Sequence, residues 1–360
     1  MRFGTTLSVT LTGSSHGPSV GAVIEGLPSG APVDLDYVQS ELDRRSPSHR
    51  KLATMRKEPD RLLVRSGIEN GRATGEPIVT LVENVDVRRA PYDELVDVPR
   101  PGHADYPARV RWGPSLDLSG GGIFSGRMTV GLVIAGAIVH DLLRNKGVGT
   151  VAFTRSIGPE NWEDPATEVT IEDLRQQSRA NEVGCPDPNV ALRMQTAIEE
   201  ARRNGDSLGG IVEVRVEGVP PGVGEPFFDP VESVLSHAYF SIPAVKGVEF
   251  GAGFQAARMR GSEHNDPFYI ERGEVRTRSN RAGGILGGLT TGMPIVARLA
   301  VKPTSSIAKE QDSVSLSRRE PVHLVVKGRH DPCIVPRAVP VVENFTSFVV
   351  ADLMARGGYL

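Results

Sequence analysis

The 360-residue chain is short of cysteine, of net charge and of long apolar runs, and each shortage removes a class of protein. Its two cysteines, Cys185 and Cys333, are far apart and in no paired spacing. They leave neither a disulfide framework nor a four-ligand zinc site, and they fit a reducing, cytoplasmic setting. Lysine and arginine number 41 against 44 aspartates and glutamates, a net charge of −3. A field that weak gives no reason to expect nucleic acid or a membrane surface as partner, so any anion must be held by a local cluster. The first residues alternate apolar and polar without a basic segment leading into a long apolar one, and no signal peptide is expected. The longest apolar stretch, 128–139, is about half of the ~20 residues a membrane span needs and reads as a buried core helix.

What is present suffices for a folded enzyme: 39% of the residues are apolar, enough for a sizeable core. Phe3, Thr5, Leu7, Val9 and Leu11 alternate in strand fashion and predict one strand delivering a small-residue turn, Gly13-Ser14-Ser15-His16-Gly17. Residues 34–45 carry Leu35, Val38 and Leu42 at helical spacing, with Asp36 early and Arg44-Arg45 late, the charge order a helix dipole favours. Further strands are predicted at 62–66, 78–83, 211–216, 295–301 and 322–326, and helices at 128–143, 171–181, 189–203, 231–239 and about 337–356. Strands do not alternate one for one with helices, so the pattern predicts an α+β layering with antiparallel sheets rather than a doubly wound sheet.

Three loops combine a histidine with glycine or proline: 13–17 with His16, 100–105 with His103, and 328–333 with His330. A single loop histidine most often bonds its own turn; three together weigh towards proton donation near neutral pH. His103 with Asp105 and His330 with Asp331 lack the paired spacing of familiar metal sites, and no metal is expected. Arg44, Arg45, Arg50, Lys51, Arg56, Lys57, Arg100, Arg127 and Arg329 gather near these loops and are of the types that grip phosphate and carboxylate. For Arg56-Lys57 a solvated basic face is the plainer reading. The glycine segments 120–127 and 282–292 allow backbone N–H groups close to a ligand. Neither is the phosphate loop of ATP-hydrolysing enzymes, and no dinucleotide fingerprint is present. Lys302-Pro303-Thr304-Ser305-Ser306 ends a strand with one cation and three hydroxyls, able to hold a phosphate or the polar edge of a flavin, although a plain polar turn fits equally. The residues alone therefore describe an enzyme for a small, multiply anionic ligand with histidine acid catalysis.

The segments GSSHG (13–17), RPGHADY (100–106), GGGIFSGRMT (120–129), HAYFSIPAVKGVEFGAGF (237–254), SNRAGGILGGLTTGMPI (279–295), KPTSSI (302–307) and GRHDPC (328–333) resemble chorismate synthases in order and spacing, from the first strand to the last helix. The resemblance implies a single domain over 1–360 with helices between two antiparallel sheets, a cytoplasmic homotetramer, and reduced FMN that is not consumed. The implied reaction is the anti-1,4-elimination of phosphate from 5-enolpyruvylshikimate 3-phosphate, the last step of the shikimate pathway. Some members reduce their own flavin, which leaves NADPH open as the reductant. By the same resemblance His16 protonates the departing phosphate, while His103 and Asp331 serve the flavin near N1 and N5. Substrate anions are expected at Ser15, Arg45, Lys51, Arg100, Ser125, Arg127 and Arg329. The flavin is expected along Ile123, Phe124, Ser125, Pro243, Ala244, Gly287, Lys302, Pro303, Thr304, Ser305, Ser306 and Arg329. Four places depart from the family pattern: Ser14 for glutamate, Ser46 for a third arginine, Lys51 for arginine, and Ile123-Phe124 for a polar pair. Lys51 keeps the charge but lacks the two-pronged fork, and Ile123-Phe124 suit packing better than polar contact. A non-catalytic anion-binding protein and a flavin oxidoreductase are the competing readings.

Overall fold

The structure, a computed structural model, describes residues 1–46, 59–85, 97–113, 116–165, 169–326, 328 and 330–360. The first part of the chain runs β1 (Arg2–Gly4), β2 (Ser8–Gly13), β3 (Ser19–Glu25), α1 (Leu35–Arg45), β4 (Leu62–Ser66), β5 (Ile68–Glu69), β6 (Arg72–Ala73) and β7 (Ile78–Glu83). The middle holds α2 (Asp105–Trp112), α3 (Val130–Ile138), α4 (His140–Arg144), β8 (Gly149–Ile157), β9 (Glu160–Asn161), α5 (Ile171–Arg179), α6 (Pro188–Arg203) and β10 (Gly210–Glu217). Then follow α7 (Val231–Ser241), β11 (Val245–Phe250), α8 (Gly261–His264), β12 (Phe268–Glu271), β13 (Glu274–Thr277), β14 (Ile285–Leu286) and β15 (Leu289–Thr290). The chain ends with β16 (Ile295–Val301), β17 (Gln311–Ser315), β18 (Glu320–Leu324) and α9 (Val335–Arg356).

Two five-stranded antiparallel sheets enclose a helical layer. The first has the order β1-β2-β3-β7-β4 and the second β11-β16-β10-β8-β9. Helix α3 packs on β2 and β3, α9 packs on β8 and β10, and the two helices pack on each other. This is the α+β sandwich the sequence predicted, and it follows from composition. Every residue of α3 is buried, and α9 is buried from Val335 to Met354 at all but two positions, as helices must be when covered on both sides. The segments Gly126–Arg144 and Val335–Arg356 are apolar enough to cross a membrane, yet 78% and 83% of their apolar windows are buried inside the fold, where they form the core.

The central packing is close because glycine permits it. An added Cβ at Gly136 would stand 1.8 Å from the carbonyl oxygen of Asn344 in α9, and one at Gly131 would stand 2.9 Å from the carbonyl oxygen of Gly21 in β3. Around this contact the charges are buried in pairs. Asn344 Nδ2 donates to Glu41 of α1 at 2.7 Å. Arg44 bridges Glu41 at 2.5 Å and Glu343 at 3.1 Å, and Arg179 of α5 reaches the same two carboxylates. Glu343 also accepts the Ala152 N–H of β8 at 3.1 Å. Burial alone would raise the Glu343 carboxyl, but Arg44 and Arg179 overcome it and hold it well below the usual carboxylate range.

Three expectations are corrected in detail. The alternation from Phe3 to Leu11 is two strands, because the chain turns at Gly4 (φ +97°) and the buried Asp352 carboxylate takes the N–H groups of Thr5, Thr6 and Leu7 at 2.8–3.1 Å. A side chain some 350 positions away thus replaces ladder bonds, which no local pattern reveals. The helix expected at 128–143 opens with the 3₁₀ turn Gly126–Thr129, where Ser125 Oγ takes the Arg127 N–H at 3.3 Å, and it parts at Val139 into α3 and α4. The strand expected at 322–326 lies at Glu320–Leu324, where it pairs with β17.

Gly136→Ala is expected to lower the unfolding free energy by about 1–3 kcal/mol, because α3 must shift away from backbone rather than from a flexible side chain. Gly261→Ala, where an added Cβ meets nothing within 4 Å, is the control and should stay within about 0.5 kcal/mol. Urea midpoints compare the two; equal midpoints would remove the close approach as a constraint.

Candidate active site

The turn carrying His16 is built by its neighbours in the first sheet. β7 pairs with β3, so Asn84, just past the end of β7, stands beside the β2–β3 turn, where its amide donates to the carbonyls of Ser14 (3.0 Å) and Gly17 (2.8 Å). Held this way, Ser15 and His16 are both buried, with Ser15 Oγ 3.2 Å from His16 Nδ1. The other side of the Asn84 amide accepts from Arg127 Nε at 2.9 Å. Arg127 also donates to the Glu83 carbonyl and to Asp60 Oδ1.

Arg45 is the last residue of α1 and only 2% exposed. Its three nitrogens donate to Thr129 Oγ1 (3.0 Å), Asp60 Oδ2 (2.8 Å) and the Gly126 carbonyl (3.0 Å). One carboxylate, Asp60, therefore joins two of the arginines.

A second group forms on the 100–105 loop. Arg100 meets Asp105 with both prongs, Nε to Oδ2 at 2.7 Å and Nη2 to Oδ1 at 2.8 Å, and it donates to Ser306 Oγ at 3.2 Å. His103 Nδ1 lies 2.6 Å from Asp105 Oδ1, with Nε2 on the side of Gly121; a methyl group added at Gly121 would stand 3.5 Å from it. Burial would raise the Asp105 carboxyl, but hydrogen bonds from Arg100 and His103 overcome that and hold it well below the usual range. The Lys302 ammonium donates to the Gly102 carbonyl. Partial burial, and Lys246 nearby, push Lys302 down.

Asp331 connects the two groups. Its carboxylate takes Arg337 Nη1 at 2.6 Å, and its backbone carbonyl takes Thr304 Oγ1 at 2.9 Å. Arg337 Nε in turn stands 3.5 Å from the Arg45 carbonyl. The contacts form one network, from Arg45 through Arg337 and Asp331 to Thr304, and from Ser306 of the same strap to Arg100 and His103, while Arg45 also reaches Gly126 beside Ser125. Among the described residues, five cations, Arg45, Arg100, Arg127, Lys302 and Arg337, share this network with three carboxylates, Asp60, Asp105 and Asp331. The surplus among them is positive and suits an anion.

The expected residues Ser15, His16, Arg45, Arg100, His103, Ser125, Arg127, Lys302, Thr304, Ser305, Ser306 and Asp331 are thus brought together, with Pro303 inside the strap. Ala244 joins through its carbonyl, which accepts the Lys302 N–H at 2.9 Å, and Pro243 precedes it. Ile123 and Phe124 are half-buried, and Phe124 lies against Trp112 with ring centroids 5.9 Å apart. Gly287 sits in the exposed β14–β15 turn, a hairpin whose bonds run to residues 220–223 and 231. Lys51 and Arg329, with Arg50, Arg56 and Lys57, lie outside the described residues. His330 bonds the Val326 carbonyl at 2.9 Å, so the plain loop reading holds for this one of the three histidines. Asp60, Asn84, Thr129 and Arg337 were missed by sequence reasoning. The one available signal was Asp60 itself, an acidic residue closing a basic stretch.

Acid should weaken this site. Asp105 contributes stability above the ordinary carboxylate range, and that contribution is lost as pH falls through its depressed pKa. Asp105→Asn should cost about 2–3 kcal/mol at pH 7, since it leaves the buried Arg100 without its partner, and it should flatten the loss of stability below pH ~4. Parallel acid titrations of wild type and variant, followed by unfolding midpoint, check both.

A family model described as chorismate synthase matches residues 7–355. The chorismate synthase of Korarchaeum cryptofilum is 50% identical over 354 residues, covering 98% of this chain and 97% of its own. That of Thermococcus gammatolerans is 48% identical, covering 98% and 97%. A crystal structure of a chorismate synthase superposes with a TM-score of 0.77 at 28% identity, over 98% of this chain and 93% of that one. On matches of this extent the chain belongs to the chorismate synthase family of carbon–oxygen lyases.

Proposed function

We propose that this enzyme eliminates phosphate from 5-enolpyruvylshikimate 3-phosphate to give chorismate, using reduced FMN without net redox change. In the balanced reaction the C3–O bond breaks, C6 loses its hydrogen, a second ring double bond forms, and phosphate leaves. The observation that carries the reading is one network of Arg45, Arg100, Arg127, Arg337 and His103, with the His16 turn tied to it through Asn84 and a positive surplus among the described residues, which matches a substrate bearing one phosphate and two carboxylates.

His16 stands beside Ser15 in a buried turn next to Arg127, and we assign it the proton that the departing phosphate oxygen takes. Arg45, Arg100 and Arg127 hold the anionic groups and fix which face of the ring meets His16. Ser125 and Ser15 add neutral donors. The donor set also fits a flavin mononucleotide. Lys302 and the hydroxyls of Thr304, Ser305 and Ser306 supply a cation and three neutral groups, and Gly121 leaves open the place beside His103 that a Cβ would fill. Reduced flavin, when bound, supplies an electron transiently to the ring that loses phosphate. His103, oriented by Asp105, and Asp331, oriented by Arg337, are the groups we place beside it. A homotetramer is part of the reading, and the exposed Phe254, Phe268 and Ile270 offer apolar area for subunit contact.

The test is anaerobic phosphate release and chorismate absorbance with dithionite-reduced FMN, with oxidised FMN as control. Turnover should need the reduced form, and His16→Ala should lower kcat by about 10²–10⁴-fold. Binding without turnover in wild type would overturn the assignment; full turnover of the variant would remove His16 from its role.

A further inference from the structure

We propose that Asp60 is a positioning residue of this reaction, setting the separation and orientation of Arg45 and Arg127. The inference rests on the reading above. Asp60 is 1% exposed and belongs to no strand or helix, and its two carboxylate oxygens go to different arginines, Oδ2 to Arg45 and Oδ1 to Arg127. Of the partners named for those two guanidinium groups, Thr129, Gly126, Asn84 and Glu83 are neutral acceptors bound by one arginine each. Among the described residues, Asp60 is the partner that is both charged and shared. Two cations this close repel, and a single carboxylate between them fixes both their distance and their planes.

Asp60 is itself held by design of the chain rather than by chance contact. Its backbone is left-handed (φ +45°), a region that aspartate and asparagine tolerate and most residues do not. Gln39 clamps it from α1: Gln39 Nε2 donates to the Asp60 carbonyl at 3.3 Å and Gln39 Oε1 accepts the Leu62 N–H at 2.9 Å. The same helix therefore carries Arg45 and the clamp on its counter-ion. Electrostatically Asp60 works against affinity, because it cancels one of two positive charges at an anion site. Its contribution is geometric, holding the guanidinium groups where the departing phosphate and His16 need them.

The variant Asp60→Asn separates these effects, since asparagine keeps the backbone accessible while its amide accepts from one arginine and presents N–H to the other. With wild-type turnover established first, so that failure of the reaction assignment is seen separately, kcat should fall about 30- to 100-fold while KM stays within about threefold or decreases. Asp60→Glu should recover at least about tenfold of the lost kcat. Gln39→Ala, which touches neither arginine, should lower kcat by about 3- to 10-fold at unchanged KM, and it decides the matter if Asp60→Asn does not fold. Retention of kcat within threefold in the folded Asp60 or Gln39 variant, or a loss carried by KM alone, overturns the proposal.

Discussion

The fold depends on how closely α3 can approach its two neighbours. At Gly136 the helix meets the backbone of α9 at Asn344, and at Gly131 it meets β3 at Gly21, so both sheets are spaced by contacts that only a missing side chain permits. Everything that builds the site hangs from this layer. Asn344 binds Glu41 of α1, which fixes the helix ending in Arg45, and the turn leading into α3 carries Ser125, Arg127 and Thr129. A shift of α3 relative to α9 would therefore move Arg45 relative to Arg127.

Among the described residues, buried charge is shared. Glu343 with Arg44 and Arg179, Asp60 with Arg45 and Arg127, and Asp105 with Arg100 and His103 are all carboxylates with at least two cationic or donor partners. One carboxylate with several donors satisfies its lone pairs and offsets desolvation better than an isolated pair does. In the reaction proposed above the arrangement has a second effect. Arginines already oriented by carboxylates lose little conformational freedom when an anion arrives, so binding free energy goes into placement at the reacting carbon.

Most of the fold was legible in the sequence. The strands at 62–66, 78–83 and 295–301 lie where alternation places them, α1 begins after Asp34 as its charge order requires, and the two apolar segments became the core helices. The misses share a cause. The first strand is broken by Asp352, and the site's counter-ions Asp60 and Arg337 reach their partners through the fold rather than along the chain. Ile123 and Phe124 are half-buried, and Phe124 lies against Trp112, as apolar side chains suit.

The sequence by itself determined the layering, the helical core and the loops that carry His16, His103 and Asp331, because periodicity, glycine placement and charge order are local properties. The tertiary structure alone decided which charges meet. Arg45, Arg127 and Asp60 come from a helix end, a 3₁₀ turn and an irregular segment, and nothing in their spacing requires a shared carboxylate. Electrostatic pairing acts through space over a few ångströms, and those distances were set by the glycine contacts of α3.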